Sequence, residues 1–392
     1  MVCGSSFLAR TGLEGEAING LREGTVDGID IIEICLRYSN YDSLTKRAKI
    51  FLQFAFQGFR LAMKLDYDLL FATSTPLTAG IPGIFMRLVK PKKKFVFEVR
   101  DLWPELPKAM GVIKNPVVLG GLWMLEQATY AAMHAGVGLS PGICKGMHKG
   151  VGAGKRIAMV PNGCDLDLFH RWKGTSAAKD FQLPKLPPKG LRCIFTGAHG
   201  IANGLDAVLD AAKVLREKDR HDIHLLFIGD GKLKPHLQQR TVNEGLDNCL
   251  FFDPIPKIKL AEFLRKVDVG MMILDNIPAF YYGTSPNKFF DYISSGLPIV
   301  NNYPGWLAGL ITGNNCGIAV QPDNPDAFAD SLIRLADDSA LRKRMGENSR
   351  RLAEREFSRN LLADRLVSFL EAVVKAEAAD CSMPDTERDS VI

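Results

Sequence analysis

From residue 191 onward the chain repeats one unit, made of a short apolar run, a glycine-containing loop and an amphipathic helical stretch. This alternation predicts parallel strands, because a parallel connection needs a crossover long enough to hold a helix. We predict helices at 205–217, 260–266 and 324–336, and strands at 192–196, 224–228, 250–252, 269–274, 299–301 and 317–320. The pattern therefore predicts a doubly wound α/β domain over residues 191–375.

The first part of the chain repeats the same alternation less completely. It predicts a second α/β domain over residues 1–170, with apolar runs at 29–35, 68–72, 95–99, 136–139 and 157–160. The segment 171–190 is polar and rich in proline, which indicates a linker, and the polar, aperiodic tail 376–392 is predicted to be disordered. Because Met1–Gly4 resembles the end of a strand, we expect the first βα unit of this domain to be missing.

Composition excludes several classes of protein. The chain has 392 residues, 46% of them hydrophobic and 24% charged, which is typical of a water-soluble protein of two domains. A net charge of +5 is too small to indicate a nucleic-acid partner. The eight cysteines form no C-x-x-C pair, so neither a disulfide framework nor a zinc site is indicated. We therefore expect a cytoplasmic protein without a metal or other cofactor.

The segment 282–298 predicts a short helix with a polar entrance. Ser285 suits the N-cap, Pro286 suits the first helical position, and Gly296 and Pro298 are stop signals. The first-turn N–H groups of a helix lack intrahelical partners and lie at its positive end, so they attract phosphate. Lys288 adds a positive charge at the same end. This entrance is therefore a candidate diphosphate site.

Asp291 follows Asn287 by four residues and Lys288 by three, so the three side chains share one helix face. A carboxylate at that place could accept two hydrogen bonds from ribose hydroxyls. The alternative is an ordinary capped helix whose lysine and aspartate form a surface pair. The residues alone leave both interpretations open.

Residues 283–298 resemble the donor-binding segment of the large group 1, family 4, retaining glycosyltransferases with the GT-B fold. In that segment two acidic residues stand eight positions apart in a helix that ends in Gly-x-Pro. Asp291 takes the second position, which in the family contacts the ribose, whereas Gly283 stands at the first. Three other segments resemble family motifs in the same order: Val160–Gly163, Phe195–Gly197 and Ile228–Gly231. The resemblance implies an α/β protein of two Rossmann-like, doubly wound domains with a cleft between them, and a UDP-sugar as co-substrate.

The loop 198–204 departs from the family. Many relatives supply an arginine and a lysine to the diphosphate from this loop, and here it contains neither. His199 and Asn203 can donate hydrogen bonds instead, and Asn203 stands where relatives have the lysine. The donor-binding set that the resemblance implies is Gly197, His199, Asn203, Gly229, Ser285, Pro286, Asn287, Lys288 and Asp291.

Arg100 and Asp101 follow the apolar run 95–99 and should lie at the carboxyl end of a strand, where open α/β sheets present ligand groups. We predict that they are catalytic: Arg100 holds a phosphate or a sugar hydroxyl, and Asp101 orients the acceptor or acts as a base. The alternative is an Arg–Asp pair that holds the loop around Trp103.

The motif Arg100–Glu105 resembles a subgroup associated with bacterial cell-surface polysaccharides, including L-fucosamine transferases of O-antigen or colanic-acid type. The subgroup implies transfer of an N-acetylated hexosamine or deoxyhexosamine, with retention, to a lipid-linked oligosaccharide. Two alternatives stay open: a sugar-nucleotide epimerase or hydrolase with the same fold, and a truncated, non-catalytic donor-binding protein.

Between Lys46 and Lys64 the polar residues form one helical stripe, and the rest of the helix is apolar. The broad apolar face favours a helix that is mostly buried against the sheet and has a solvated basic edge. The alternative is a basic amphipathic helix on an anionic membrane surface, reinforced by lysines at 90 and 92–94. A lipid-linked acceptor would bring the protein to the inner face of the plasma membrane.

Overall fold

A computed structural model describes residues 1–5, 11–38, 42–151, 154–171 and 183–375 of the chain. The predicted tail 376–392 and residues 172–182 of the predicted linker lie outside the described residues. Within the described ranges, no helix is long and apolar enough to cross a membrane.

The second half of the chain contains one parallel sheet of six strands. Its strands are β8 (Leu191–Thr196), β9 (Ile223–Ile228), β10 (Cys249–Phe252), β11 (Val269–Met272), β12 (Ile299–Asn301) and β13 (Gly317–Ala319), in the order β10-β9-β8-β11-β12-β13. The helices are α7 (Asp206–Glu217), α8 (Lys234–Glu244), α9 (Lys257–Leu264), α10 (Pro278–Gly283), α11 (Asn287–Ser294), α12 (Trp306–Gly313), α13 (Pro325–Asp337), α14 (Ser339–Glu356) and α15 (Arg359–Lys375). Apolar side chains bury both faces of the sheet, which explains why its strands read as continuous apolar runs. The predicted strands are confirmed.

The first half contains a parallel sheet of four strands in the order β4-β5-β6-β7, with bounds Leu69–Thr73, Lys94–Val99, Ala135–Gly138 and Arg156–Met159. Its helices are α1 (Leu44–Lys64), α2 (Ile81–Val89), α3 (Glu105–Ala109), α4 (Pro116–Ala132), α5 (Pro141–Val151) and α6 (Leu166–Arg171). Along β5, Phe95 and Phe97 pack on one face, whereas Val96 packs on the other. Because of this alternation, α2 and α4 pack on the face of Phe95 and Phe97, and α15 packs on the face of Val96.

The predicted strand 29–35 is present, but it belongs to a different sheet. Strands β1 (Val2–Gly4), β2 (Leu21–Val26) and β3 (Ile29–Ile34) form a separate three-stranded sheet in the order β1-β3-β2. Asp27 and Gly28 join β2 to β3 and have φ angles of 50° and 79°. Positive φ at both positions matches the two-residue turn that suits a twisted hairpin. The turn therefore pairs β3 with its neighbour in sequence.

Two helices cross between the halves. Phe169 of α6 packs in the core of the second half, although the sequence assigned it to the first domain. In return, Leu362 and Val373 of α15 pack with Val96 and Val137 on the first sheet. Helix α6 therefore belongs to the core of the second half and α15 to that of the first, although the predicted domains 1–170 and 191–375 assign these helices the other way round.

Candidate functional site

The loop before α11 contacts the segment that follows β7 of the first sheet. Asn162, which comes after β7, donates from Nδ2 to the carbonyl of Ser285 at 2.6 Å. Its backbone N–H donates to the Ser285 hydroxyl at 3.4 Å. The carboxyl end of one sheet thereby meets the first turn of a helix from the other, as predicted for a cleft between two such domains.

Helix α11 starts one residue later than predicted. Pro286 is the N-cap and makes no side-chain capping bond, so Ser285 does not cap the helix; its hydroxyl instead contacts Asn162. Asn287 is exposed at the first helical position. The Tyr292 hydroxyl anchors the helix to the end of β8 by accepting from the Thr196 N–H at 2.9 Å. The helix start is thus fixed in place without a side-chain cap.

Lys288 and Asn203, which are 85 residues apart, meet at this helix start. The Lys288 ammonium donates to Asn203 Oδ1 at 2.9 Å and lies 3.9 Å from the centre of the Phe195 ring. Both groups are neutral, so neither supplies a counter-charge. Burial lowers the pKa of Lys288 to about 7. Lys288, which the sequence predicts to carry a positive charge, is therefore only partly protonated at neutral pH, and a bound anion would stabilise the charged form.

Gly197 and Gly229 bring two loops close together beside Lys288. A Cβ at Gly229 would lie 1.8 Å from the Gly197 carbonyl oxygen, and one at Gly197 would lie 3.6 Å from Lys288 Nζ. Their φ angles of 149° and 134° also favour glycine. These residues therefore allow the loops after β8 and β9 to pack together, next to the ammonium.

The side chain of His199, predicted as a hydrogen-bond donor to the ligand, is buried in the structure. Its ring is fully buried, with Phe195, Phe227 and Phe251 around it, and neither ring nitrogen has a hydrogen-bond partner. Burial and then Lys234 lower the pKa of His199 to about 4, so the ring is neutral. The ring packs as an aromatic group in this structure and does not project as a donor toward a ligand, which corrects the role expected of its side chain.

Asp291 lies at the centre of a charged network. The residue is 7% exposed, and its carboxylate faces the Lys257 ammonium at 3.4 Å. Lys257 also contacts Asp165 at 2.5 Å, and Asp165 pairs with Arg359 at the start of α15. Burial raises the pKa of Asp291, and Lys257 opposes that shift. The surface pair of Lys288 and Asp291, which the sequence left open as an alternative, is not formed; Asp291 pairs with Lys257 instead.

The predicted catalytic residues have separate partners. Arg100 lies 3.7 Å from Glu98 and donates to Asn162 Oδ1 at 3.4 Å. Asp101 accepts from the Thr75 hydroxyl at 3.2 Å, and burial raises its pKa. Thr75 has a φ of 80°, a conformation that is rare for a β-branched residue and that often accompanies functional sites. Arg100 and Asp101 therefore bond to other residues, and the Arg–Asp pair that the sequence left as an alternative is not the arrangement found.

Asp101 also shares a small cavity with the position where the family has its first acidic residue. The cavity has a volume of about 20 Å³ and is lined from the first half by Asp101 and Glu105, and from the second half by Gly283 and Thr284. A Cβ at Gly283 would meet only Ile143, at 4.0 Å. A carboxylate from the first half therefore lies next to the position from which one is missing in the second.

A larger hollow of about 670 Å³ lies at the carboxyl ends of β9 and β10, and Asp230, Phe251 and Asp253 are among its lining residues. Lys234 is buried beneath it and donates to the Gly229 carbonyl at 3.0 Å and to Asp253 at 2.7 Å. One lysine thus joins the two loops that form the hollow.

Three residues of the site were missed in the sequence: Asn162, Lys234 and Lys257. Asn162 belongs to the Pro-Asn-Gly segment that carried the resemblance, and Lys257 follows Pro256 shortly after β10. Their positions after strands were the available signal. The partners of Asn162 and Lys257 lie far away along the chain, so only the fold reveals those contacts.

The comparisons with known proteins agree with this geometry. Residues 190–338, which hold most of the six-stranded sheet and its helices, match the family model described as "Glycosyl transferases group 1". D-inositol 3-phosphate glycosyltransferase of Streptomyces avermitilis is 29% identical over 213 residues, which are 51% of this chain and 43% of the relative. The chain spans about half the length of the curated relatives it matches.

Solved structures resemble the chain over most of its length. Sucrose-phosphate synthase from Thermosynechococcus elongatus is 16% identical, covers 88% of this chain and 84% of its own, and has a TM-score of 0.68. The trehalose-6-phosphate structure from E. coli, bound with UDP-2-fluoro glucose, is 13% identical, covers 95% and 98%, and also has a TM-score of 0.68. Together with the family match, these likenesses confirm the predicted α/β fold of GT-B type.

Proposed function

We propose that the chain is a group 1 glycosyltransferase that transfers a sugar from a UDP-sugar to an acceptor glycan with retention of configuration. The observation that carries this proposal is the Lys288 ammonium, which is enclosed at an uncapped helix start among neutral partners. A diphosphate would supply the missing counter-charge and accept from the first-turn N–H groups. Gly197 and Gly229 let the adjoining loops pack together, which places their backbone next to the ammonium.

This arrangement suits departure of a nucleoside diphosphate. Negative charge grows on the leaving phosphate as the sugar becomes oxocarbenium-like, and a fixed positive end stabilises that charge. The helix start and Lys288 perform this task in the proposal, and no metal is required. Arg100 then holds a phosphate or sugar hydroxyl across the cleft.

Asp101 is proposed to act on the acceptor side. Its carboxylate lies in the cavity next to Gly283, so it can orient an acceptor hydroxyl or accept its proton. The raised pKa of Asp101 makes it a better base than an exposed aspartate. Asp101 would thus place a carboxylate near the position that Gly283 leaves without one.

The nucleoside is proposed to lie between Asp291 and the hollow at β9 and β10. Asp291 is buried and faces the Lys257 ammonium at 3.4 Å, which suits a carboxylate that accepts from two ribose hydroxyls. The neighbour that holds UDP-2-fluoro glucose supports a uridine nucleotide.

The acceptor is proposed to be a lipid-linked oligosaccharide of a bacterial cell-surface polysaccharide, and the sugar an N-acetylated hexosamine or deoxyhexosamine. The support is the resemblance carried by Arg100–Glu105 and 283–298. Such an acceptor would place the protein in the cytoplasm, at the inner face of the membrane.

Calorimetry with UDP and Lys288→Ala tests the donor site. Loss of the charged contact should weaken binding about 10- to 100-fold, whereas Lys213→Ala, on the exposed side of α7, should leave it unchanged. Because the pKa of Lys288 is about 7, wild-type affinity should fall as pH rises from about 7 to 9, and the variant should lose this dependence. Equal affinity of variant and wild type would exclude Lys288 from the site.

Product analysis separates the alternatives. Free UDP with an extended acceptor indicates transfer. An isomerised nucleotide sugar indicates an epimerase, and free sugar with UDP indicates a hydrolase. Binding without any turnover would favour the non-catalytic donor-binding protein.

A further inference from the structure

The first half of α4 is an apolar helix segment that the described structure leaves uncovered. Val117 is 81% exposed, Met124 67% and Trp123 55%. A Cβ built at Gly120 or Gly121 would meet nothing within 4 Å. A helix that is apolar around its whole circumference is normally buried, so this segment indicates a contact with another apolar phase.

Helices α1 and α2 extend the same surface. Leu88 of α2 is 74% exposed and Phe56 of α1 is 58% exposed. Helix α2 contacts both α1 and α4, and the rings of Phe59 and Phe85 lie 5.3 Å apart across α1 and α2. We call the exposed faces of α1, α2 and α4 the outer helix surface. It lies on the side of the first sheet opposite α15.

The same region is strongly basic. Residues 43–125 contain thirteen Lys and Arg against five Asp and Glu, an excess of eight, whereas the whole chain has a net charge of only +5. The remainder of the chain is therefore acidic. No acidic residue lies between Glu105 and Glu126, the stretch that includes the uncovered segment. Apolar side chains bordered by positive charge match the interface of an anionic bilayer.

Not every lysine predicted to reinforce a membrane contact is available for it. Lys90 donates to the Met63 carbonyl at 2.7 Å, and Lys93 pairs with Asp66 at 2.9 Å. Lys49, Lys64 and Lys114 are exposed in the described structure. The charge that faces outward therefore comes from α1 and from the start of α4 as much as from residues 90–94.

We propose that the outer helix surface docks on an anionic lipid bilayer, with the first half of α4 inserted among the headgroups. Helix α4 begins seven residues after α3, and Glu105 and Leu106 of α3 line the cavity between the halves. Docking through α4 places that cavity beside the membrane. In this orientation a lipid-linked acceptor meets the cleft from the bilayer side, a consequence that rests on the proposed function.

Co-sedimentation of the full chain with phosphatidylglycerol vesicles and with phosphatidylcholine vesicles tests the proposal. The wild type should bind the anionic vesicles more tightly. The double substitution Val117→Ser with Trp123→Ser should weaken that binding at least about tenfold, and Lys49→Gln with Lys64→Gln should weaken it about fivefold for each charge. The matched control is Val242→Ser, since Val242 on α8 is 75% exposed and lies in the other half; it should bind like the wild type.

Three results would overturn the proposal: no vesicle binding by the wild type, equal binding by the α4 variant, or conversion of a wild-type dimer to a monomer by the α4 substitutions. The last result would assign the surface to a second copy of the chain. Far-UV circular dichroism of the same variants shows that they are folded. UDP calorimetry separates the two proposals, because vesicle binding without UDP binding contradicts the donor site alone, and UDP binding without vesicle binding contradicts only the docking surface.

Discussion

The two halves of the molecule differ in how completely they bury their helices. Among the side chains that the structure describes between residues 191 and 356, two large apolar ones are exposed, Ile201 and Val242. On α1, α2 and α4 of the first half there are ten. The second half is therefore closed by its own helices together with α6, whereas the first half relies on α15 for one face and leaves the other face apolar and basic. A closed core suits nucleotide binding, and an uncovered helix face suits contact with a large partner.

The polar residues of the candidate site are also divided between the two halves. Lys288 and Asp291 are held by loops and helices packed on the six-stranded sheet, whereas Arg100 and Asp101 follow a strand of the four-stranded sheet. We expect substitutions in the first half to change transfer, and substitutions in the second half to change binding or stability.

The largest effect is expected for Asp101→Asn. Replacement of the proposed base should lower the transfer rate about 10²- to 10³-fold and leave the affinity for UDP within about threefold. Glu105→Gln in the same cavity is the control and should retain most of the rate. Initial rates with UDP-sugar and acceptor, together with calorimetry, measure both quantities. If Asp101→Asn lowers the affinity for UDP as much as it lowers the rate, the expectation that the first half acts on transfer and the second half on binding is wrong.

A smaller effect is expected for Lys257→Met. Without the ammonium, the raised pKa of Asp291 should rise further, because burial is no longer opposed by Lys257. A carboxyl group with a raised folded-state pKa stabilises less as pH rises from its unfolded value through its folded one. Since Lys257 is half-exposed, we expect a deficit of about 1–2 kcal/mol at pH 7.5 that shrinks toward pH 4.5.

Urea unfolding at the two pH values measures this deficit. Lys266→Met, at an exposed position two residues after α9, is the matched control and should cost less than about 0.5 kcal/mol. A deficit that is the same at both pH values would show that Lys257 contributes packing and not charge.

The smallest effect is expected for His199→Phe. The two unpaired ring nitrogens of His199 oppose folding, and an apolar ring removes that cost, so unfolding should require about 1 kcal/mol more. His221→Phe, on the surface, should change stability by less than about 0.5 kcal/mol. If both His199→Phe and the smaller His199→Leu unfold at lower urea than the wild type, the buried imidazole makes a favourable contact that outweighs its unpaired nitrogens.

Features that depend on residues close together in the sequence could be predicted from it. The strands of both parallel sheets follow from apolar runs, and the neighbourhood of Lys288 and Asn203 follows from their places after a strand and at a helix start. The burial of His199 could not be predicted, because a polar residue in a glycine-rich loop is expected to be exposed. Most of the aromatic side chains that surround it come from other parts of the chain and are brought together only by the fold. Lys257 was missed because its partner Asp291 is 34 residues away and no periodicity links them.

Helix α15 has a consequence for how the protein is made. The second half is complete once α14 has been synthesised, because α6 comes earlier in the chain. The apolar face of the first sheet around Val96 and Val137 stays bare until α15 leaves the ribosome and covers it. Domains usually mature in the order of their synthesis, and here the half that begins the chain is the last to be finished.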